Sequence, residues 1–239
     1  MHPTKSSNNR QTALVTGASS GIGLELSRIL AKNGFDVILV ARNEEKLSRM
    51  ASELSEAYKI NARPLAADLA EAAAPRKIYQ TLQQDGIPVE ILINNAGFGT
   101  FGPFVENDLD TELKEMQVNM MAPVHLTKLF VRDMVNRKSG KIMNVASTAA
   151  FQPGPFMAVY YATKAFVLSF SEAIANELRG TGVTVTALCP GPTRTAFQQV
   201  ANMEDVRLVR NLNVMDAARV AEIGYRGLMA GRTIVIPGI

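Results

Sequence analysis

The sequence has little of what marks disulfide-rich, nucleic-acid-binding or membrane-spanning proteins. It contains one cysteine, Cys189, so no disulfide can form within the chain, and we expect a reducing, cytoplasmic compartment. The net charge is only +3, and no block of about five or six like charges occurs, which argues against a nucleic-acid partner. No stretch reaches the roughly 18 apolar residues that a membrane-spanning helix needs. These absences favour a globular cytoplasmic protein.

The chain is long enough to bury one large core. Its 239 residues are 47% hydrophobic, and we find no linker, repeat or low-complexity tract. Residues 1–10 are polar and lack the apolar centre of a secretory signal, so we interpret them as a flexible leader. Residues 11–239 are therefore predicted to form a single domain.

Short apolar runs alternate with longer helical stretches along the whole chain. The runs contain many β-branched residues and show little two-residue alternation, which is typical of strands buried on both faces. Strands that alternate with helices form parallel sheets covered by helices on both sides. The sequence therefore predicts an α/β fold of the doubly wound Rossmann type, with a seven-stranded parallel sheet in three α/β/α layers. The predicted strands are 12–16, 36–41, 62–66, 89–93, 141–145, 183–188 and 233–236, and the predicted helices are 21–32, 44–57, 72–84, 109–136, 159–179 and 216–230.

A glycine-rich segment, TGASSGIG at 16–23, follows the first strand and opens the first helix. Gly17 permits a tight turn, Gly21 lets the backbone approach a pyrophosphate, and Gly23 lets the helix lie close to the sheet. The helix N-terminus offers free N–H groups and a partial positive charge to the same anion. Three glycines alone are weak evidence, but their place between a strand and a helix favours a dinucleotide site over a plain turn. The residues we assign to this site are Gly17, Ser19, Ser20, Gly21, Ile22 and Gly23.

The residues after the second strand favour NADP over NAD as the cofactor. An NAD site usually has an acidic residue near this position to hold the ribose hydroxyls, whereas this chain has Ala41 and then Arg42. A guanidinium can pair with a 2′-phosphate through two hydrogen bonds. The alternative is that Arg42 simply faces solvent.

Two further strand ends carry polar residues whose role the residues alone leave open. Asp68 and Leu69 follow the third strand, where a side chain could reach an adenine ring or cap the entry to the next helix. The sequence NNAG at 94–97 follows the fourth strand. It could line the crevice where open sheets bind ligands, or form an ordinary turn.

A serine, a tyrosine and a lysine form the candidate catalytic set. Ser147 closes the fifth strand, and Tyr160 and Lys164 are four residues apart in a strongly helical stretch, so they share one helix face. A nearby ammonium would lower the pKa of the phenol, which could then act as acid or base toward a carbonyl or an alcohol. Ser147 could bind the substrate oxygen. Tyr161 is a rival, because three residues also separate helical neighbours, and a surface Tyr–Lys pair with an unrelated serine is the plain alternative.

Cys189 has two interpretations. It could be a nucleophile, but neither His2 nor His125 can be placed beside it from the sequence. A small buried core residue is the better interpretation. We predict no metal site.

Taken together, four elements resemble the classical short-chain dehydrogenase/reductase (SDR) family. They are TGASSGIG at 16–23, NNAG at 94–97, Ser147 with YxxxK at 160–164, and PG at 190–191. The resemblance covers roughly residues 11–236. It implies an enzyme that moves a hydride between a nicotinamide ring and a carbonyl or alcohol.

The resemblance also implies roles for single residues in catalysis. Asn119 matches the family's fourth catalytic residue, which holds a water in a proton relay with the lysine. Ser147 becomes the partner of the substrate oxygen, and the YxxxK spacing selects Tyr160 over Tyr161 as the acid/base. Lys164 tunes the pKa of Tyr160 and also binds the nicotinamide ribose.

Cofactor contacts are implied in the same way. Arg42 matches the NADP-type members of the family. Ser20, however, stands where many such members carry a basic residue, so discrimination between the cofactors would rest mainly on Arg42. Asn95 also matches a cofactor contact. The remaining implied contacts are Asp68 and Leu69 on the adenine side, Tyr160 and Lys164 at the ribose, and Thr193 near the nicotinamide amide.

The substrate and the function class remain less defined than the chemistry. The residues expected to face the substrate are mostly apolar, which favours a hydrophobic carbonyl compound, although ordinary core packing explains them as well. They are Phe98, Phe151, Phe156, Met157, Pro192, Phe197 and the segment 198–212. An alternative function is a regulatory or scaffold protein that binds NADP(H) without turnover. A sugar-nucleotide epimerase or dehydratase would need a larger C-terminal region than this chain has.

The helix after Lys164 is apolar around much of its circumference. A surface helix normally has one apolar stripe about 100° wide, which Phe166, Phe170 and Ile174 would fill. Val167 and Leu168 extend it further. A neighbouring helix of the same chain could cover the excess, but the SDR resemblance favours the same helix of a second subunit. We therefore predict a homodimer or homotetramer.

Overall fold

The computed structural model of the protein describes residues 10–194 and 214–238 and confirms the predicted doubly wound α/β fold. The strands are β1 (Thr12–Thr16), β2 (Asp36–Ala41), β3 (Ala62–Ala66), β4 (Ile91–Asn94), β5 (Gly140–Val145), β6 (Val183–Leu188), β7 (Thr193–Arg194), β8 (Met215–Asp216) and β9 (Ile234–Val235). Seven of them form the parallel central sheet in the order β3-β2-β1-β4-β5-β6-β9. The two short strands β7 and β8 pair separately.

Helices cover both faces of the sheet and give it three layers. The helices are α1 (Gly21–Lys32), α2 (Glu44–Tyr58), α3 (Ala74–Gln84), α4 (Leu109–Met116), α5 (Ala122–Arg137), α6 (Ala158–Glu177) and α7 (Ala217–Met229). One apolar core packs α1, α2 and α7 against the sheet and contains Leu26, Leu47 and Val220. A second core lies under α3 and α5 and contains Ile78 and Leu126. None of the described helices is long and apolar enough to cross a membrane.

The strand order reverses at β1, which pairs with β2 on one side and with β4 on the other. In open α/β sheets, ligands bind outside the carboxyl ends of the strands at such a switch point. The glycine-rich loop leaves β1 here, and the NNAG segment leaves β4. The topology therefore brings these two sequence motifs to one crevice.

The single helix predicted for 109–136 is wrong, because it is interrupted. A π-helical turn, Gln117–Met121, separates α4 from α5, and the Ala122 N–H bonds to the Gln117 carbonyl five residues back. Pro123 explains the break: it has no N–H to offer the carbonyl of Asn119, and its ring crowds that carbonyl. The sequence reasoning did not use this proline.

Candidate active site

The glycine-rich loop turns tightly between β1 and α1. Gly17 has φ +63°, and a Cβ there would lie 2.8 Å from Nδ2 of Asn95. A Cβ on Gly23 would collide with the Gly17 carbonyl and the Asn95 amide. Glycine is required at both positions because the backbones of β1, α1 and the β4 loop meet there. The close packing leaves a cradle of backbone beside the crevice, which fits a pyrophosphate.

The N-terminus of α1 is open to an anion. Ser20 precedes the helix and makes no side-chain capping bond, and the first turn has no acidic residue within this described part of the chain. The first N–H groups carry the partial positive end of a twelve-residue helix. These features fit the dinucleotide site assigned to Gly17, Ser19, Ser20, Gly21, Ile22 and Gly23, which stays a prediction.

Asn95 braces this loop. Its Nδ2 donates to the carbonyl oxygens of Thr16 (2.9 Å) and Gly17 (3.2 Å), and its backbone N–H donates to Oγ1 of Thr16 (3.0 Å). The amide Nδ2 of Asn95 is therefore used to hold the loop in place. Its predicted contact with the cofactor would be made in addition to these hydrogen bonds.

Arg42 lines a cavity of about 400 Å³ at the ends of β2 and β3, together with Asp68 and Lys77. Two cationic side chains at one cavity fit a phosphate, although Lys77 also lies 3.6 Å from a carboxylate oxygen of Glu71. Asp68 accepts a hydrogen bond from the Ala70 N–H (3.0 Å), so it caps a local turn while it lines the cavity. The sequence had left these two roles as alternatives.

Leu69 packs in the apolar core, and Thr193 makes a local hydrogen bond. Leu69 is buried in the core beneath α3, where it belongs to the same apolar cluster as Ile78. Oγ1 of Thr193 donates to the carbonyl of Gly191 (2.9 Å), and Thr193 begins β7. The contacts that the family implies for both residues remain predictions.

Ser147, Tyr160 and Lys164 meet at the carboxyl end of β5. Oγ of Ser147 accepts from the Ala149 N–H (3.1 Å) at the start of a 3₁₀ turn and donates to the carbonyl of Pro190 (3.4 Å). The Ser147 and Tyr160 side chains are hydrogen-bonded to each other, which lowers the pKa of Tyr160. The structure thus brings the predicted set together.

Lys164 is buried under Tyr160. Its Nζ donates to the carbonyl of Val145 (2.9 Å) and lies 5.7 Å from the centre of the Tyr160 ring. Burial lowers the pKa of Lys164 to about 8, while the charges of Glu115 and Cys189 act in the opposite direction. Burial therefore brings the titration of Lys164 closer to neutral pH than that of an exposed lysine.

The pKa of Tyr160 departs from expectation. Burial raises it to about 12, the Ser147 hydrogen bond lowers it, and the charges of Glu115 and Tyr161 raise it further. The sequence predicted a lowered pKa because of Lys164, but burial of the phenol outweighs the opposing contributions and the pKa is raised. In this arrangement the tyrosine is held as the protonated acid.

Asn119 lies in the π-helical turn and is almost fully buried. Its Oδ1 accepts from the Phe98 N–H (3.1 Å), and its Nδ2 donates to the Phe98 carbonyl (2.8 Å) and to Oγ1 of Thr163 (3.1 Å). A Cβ on Gly97 would lie 3.0 Å from Oδ1 of Asn119 and 3.3 Å from Nζ of Lys164. Asn119 therefore lies near Lys164, and the water-holding role that the resemblance implies remains a prediction.

Tyr161 and Cys189, the two alternative catalytic candidates, pack against other parts of the chain. Tyr161 packs its ring against Gly154, where a Cβ would collide with it. Cys189 is fully buried in a small apolar cluster, and burial raises the pKa of its thiol to about 11. A protonated, inaccessible thiol is inert, which supports the core interpretation. The described residues include no group of three or more His, Cys, Asp or Glu placed to hold a metal ion.

An aromatic rim stands near the mouth of the site. The rings of Phe101 and Phe156 are 6.0 Å apart, and the Gly102 N–H donates to the Phe156 carbonyl (2.9 Å), which links two loops. Phe151 and Phe156 are more than half exposed, whereas Met157 is buried. Of the other predicted substrate-facing residues, Phe98 packs partly on the core, Pro192 is exposed, and Phe197 and 198–212 lie outside the described residues.

Sequence reasoning missed a buried polar chain behind the site. Nδ2 of Asn94 donates to Oγ1 of Thr127 (3.1 Å) and to Oδ1 of Asn144 (2.8 Å), and Asn144 donates to Oγ of Ser171 (2.9 Å). These bonds join β4 and β5 to α5 and α6. It also missed Glu115, which is fully buried one helical turn before Asn119. The four-residue spacing to Asn119 was the available signal.

A sequence profile described as short chain dehydrogenase matches residues 11–205. The chain belongs to the short chain dehydrogenase family. A curated relative, the very-long-chain 3-oxoacyl-CoA reductase of Homo sapiens, is 36% identical over 182 residues, which are 74% of this chain and 58% of that protein. The chain thus spans about three fifths of that relative's length.

Solved structures of the family superimpose closely. A short-chain dehydrogenase from Sphingobium yanoikuyae in complex with NADPH has a TM-score of 0.89 at 32% identity, covering 96% of this chain and 88% of that one. The bulky-bulky ketone specific alcohol dehydrogenase from Comamonas testosteroni scores 0.85 at 31% identity, with 97% and 88% covered. A family member from Burkholderia phymatum in complex with NAD scores 0.85 at 25% identity, with 95% and 88% covered. The family neighbours thus include complexes with either cofactor.

Proposed function

We propose that the protein is an NADP(H)-dependent oxidoreductase that reduces a hydrophobic carbonyl compound or oxidises the corresponding alcohol. The observation that carries this proposal is the meeting of Ser147, Tyr160 and Lys164 at the carboxyl end of β5. Asn119 packs beside them through Gly97. The nicotinamide cofactor, when bound along the glycine-rich loop, supplies or accepts the hydride.

The residues of the chain divide the proton chemistry among them. Tyr160, kept protonated by burial, donates a proton to the oxygen of a carbonyl substrate and becomes a phenolate, and in the reverse direction that phenolate accepts the proton of an alcohol. Ser147 adds a hydroxyl that hydrogen-bonds the same oxygen and stabilises its developing charge. Lys164 supplies a positive charge below the ring.

NADPH is the proposed cofactor because of the charges around one cavity. Arg42 and Lys77 line the cavity at the ends of β2 and β3, and a 2′-phosphate is the anion that distinguishes NADPH from NADH. Asp68 and Glu71 line the same cavity, so two acidic side chains oppose the two basic ones there. The preference therefore has to be measured with both cofactors under identical conditions.

A hydrophobic substrate is proposed because of the aromatic rim. Phe101, Phe151 and Phe156 expose apolar surface around the loops that flank the site. Two relatives, a very-long-chain 3-oxoacyl-CoA reductase and a bulky-bulky ketone specific alcohol dehydrogenase, have names that also support a large apolar substrate. A bulky aliphatic or aryl ketone is accordingly the first substrate to test.

The experiment is a panel of ketones, aldehydes and alcohols assayed by the absorbance of NADPH. We expect turnover that rises with the apolar size of the carbonyl compound and that disappears in Tyr160→Phe. The alternative function, a scaffold or regulatory protein that binds NADP(H) without turnover, predicts tight cofactor binding with no oxidation across the panel. Cofactor binding by calorimetry separates that case from an unsuitable panel.

Assembly and location are part of the proposal. We propose a homodimer or homotetramer built on α6, whose outward face includes Ala162, Phe166 and Ala173. Val167 and Leu168, which had seemed to widen the apolar stripe, are buried within the chain, so they are not available to a second subunit. A cytoplasmic location is proposed from the single cysteine and is tested by cell fractionation.

A further inference from the structure

Glu115 is a buried acid that the proposed chemistry does not use. It lies in α4, four residues before Asn119, and its side chain is fully shielded from solvent. Burying a carboxyl group is costly unless its oxygens find partners. A buried acid at this position therefore lowers the stability of the fold unless its contacts offset the cost of removing the carboxyl group from water.

The two oxygens of Glu115 have unequal surroundings. Oε2 accepts hydrogen bonds from the N–H of Thr100 (2.9 Å) and from its Oγ1 (2.9 Å). Oε1 is buried and has no hydrogen-bond partner among the described residues. One carboxylate oxygen thus binds the loop at Thr100, and the other is buried without a hydrogen bond from the described residues.

Glu115 and Asn119 together hold one segment of chain, residues 98–100. Asn119 bonds both backbone groups of Phe98, and Glu115 bonds both donors of Thr100. The two side chains stand one helical turn apart, so they bind the segment at successive points. This segment follows Gly97, which packs against Lys164, and it precedes the aromatic rim at Phe101.

The charge of Glu115 also reaches the catalytic pair. Among the described residues, the charged groups that act on Glu115 are Glu112 on its own helix and Lys164 on α6. Burial raises the pKa of Glu115 to about 7, the Thr100 hydrogen bonds and Lys164 lower it, and Glu112 raises it. In turn, the negative charge of Glu115 raises the pKa of both Lys164 and Tyr160.

We propose that Glu115 is a further positioning residue of this active site, which fastens residues 98–100 to the helix of Asn119 and places a negative charge beside Lys164. The proposal rests on the proposed function, because it concerns the same reaction. Glu115 touches neither substrate nor cofactor in this account. It acts by favouring the protonated forms of Lys164 and Tyr160 and by fixing the loop between them and the rim.

The test is the pH profile of carbonyl reduction in Glu115→Gln. Glutamine keeps the shape and can still accept from Thr100, but it removes the charge. A negative charge favours protonated neighbours, so its loss lowers the pKa of Lys164 and of Tyr160, and the alkaline limb should move to lower pH by about one unit. Glu115→Asp, which retains the charge, should keep the limb near its parental position.

Two comparisons separate this role from ordinary packing. Glu112→Gln removes a second buried acid from the same helix, one whose Oε1 accepts from Asn107, and it should leave the limb in place. Thr100→Val removes a hydrogen bond that favours the carboxylate and should lower kcat at all pH values more than it raises KM for NADPH. An unmoved alkaline limb in Glu115→Gln, or an equal movement in Glu112→Gln, overturns the proposal.

A second readout does not depend on turnover. Alkaline titration of tyrosine absorbance, with Tyr160→Phe as the blank, reports the ionisation of Tyr160 directly. Glu115→Gln should shift that component to lower pH even if every carbonyl compound in the panel fails. An absence of turnover with this shift present contradicts the proposed function alone, and turnover without the shift contradicts the role of Glu115 alone.

Discussion

Nζ of Lys164 lies 5.7 Å from the centre of the Tyr160 ring, one helical turn along α6, and donates to the Val145 carbonyl at 2.9 Å. This geometry places the positive charge of Lys164 beside the Tyr160 ring. Its replacement in Lys164→Met should lower kcat for reduction and for oxidation alike, because both directions use the same proton position. Steady-state rates in both directions test this, and a loss confined to one direction contradicts it.

Arg42 provides the prediction about cofactor choice. The parent protein should show a higher kcat/KM with NADPH than with NADH. Arg42→Ala should cost NADPH about 1.5–3 kcal/mol, the scale of a hydrogen bond to a charged group, and should barely affect NADH. Arg49→Ala is the matched control, because Arg49 is an exposed arginine of α2 that does not line the cavity. Equal kinetics with both cofactors in the parent protein would remove the basis for this assignment.

Glu115 makes the stability of the protein depend on pH. Its pKa is raised from 4.5 to about 7, so the folded protein keeps a proton that the unfolded chain releases. The linked stability is present below about pH 4.5 and is lost as the pH rises through 7, with a loss on the order of 3 kcal/mol. Glu115→Gln should remove this loss, while Glu112→Gln should retain most of it, because burial is the largest cause of the raised pKa. Urea denaturation across this range measures it, and parallel curves for the parent and Glu115→Gln would contradict the prediction.

The outward face of α6 provides the prediction about assembly. Phe166 is exposed on that face and stacks on Phe170, with ring centres 6.0 Å apart. A second copy of the helix would cover this surface, so Phe166→Glu should reduce the assembly to single chains. Light scattering at micromolar concentrations gives the mass. A mass of 25.9 kDa for the parent protein at every concentration would contradict the prediction.

Much of the fold was predictable because local patterns and topology agree. Buried strands such as Thr12–Thr16 are short, apolar and bounded by glycine or a polar turn, and their alternation with helices leaves few possible sheets. The glycine-rich loop was predictable for the same reason, since its position between β1 and α1 follows from the sequence. Ser147, Tyr160 and Lys164 were recoverable from spacing on one strand end and one helix.

What could not be predicted depends on contacts between distant segments. The break at Gln117–Met121 needed the effect of Pro123 on a carbonyl four residues earlier. The commitment of Asn95 to the loop of Gly17 depends on the approach of β1 and β4, which no local pattern encodes. The pKa of Tyr160 was misjudged because burial, which depends on the whole fold, outweighs the spacing to Lys164.

The central claim is that Tyr160 is the acid/base of a hydride transfer, and the most direct measurement compares Tyr160→Phe with Tyr161→Phe. Both changes remove one hydroxyl from neighbouring tyrosines of α6, so Tyr161→Phe is the matched control for the loss of a phenol hydroxyl. Tyr160→Phe should lower kcat for carbonyl reduction about 10²–10⁴-fold with little change in NADPH affinity, and Tyr161→Phe should stay close to the parent protein. Full activity in Tyr160→Phe together with an inactive Tyr161→Phe would contradict the account.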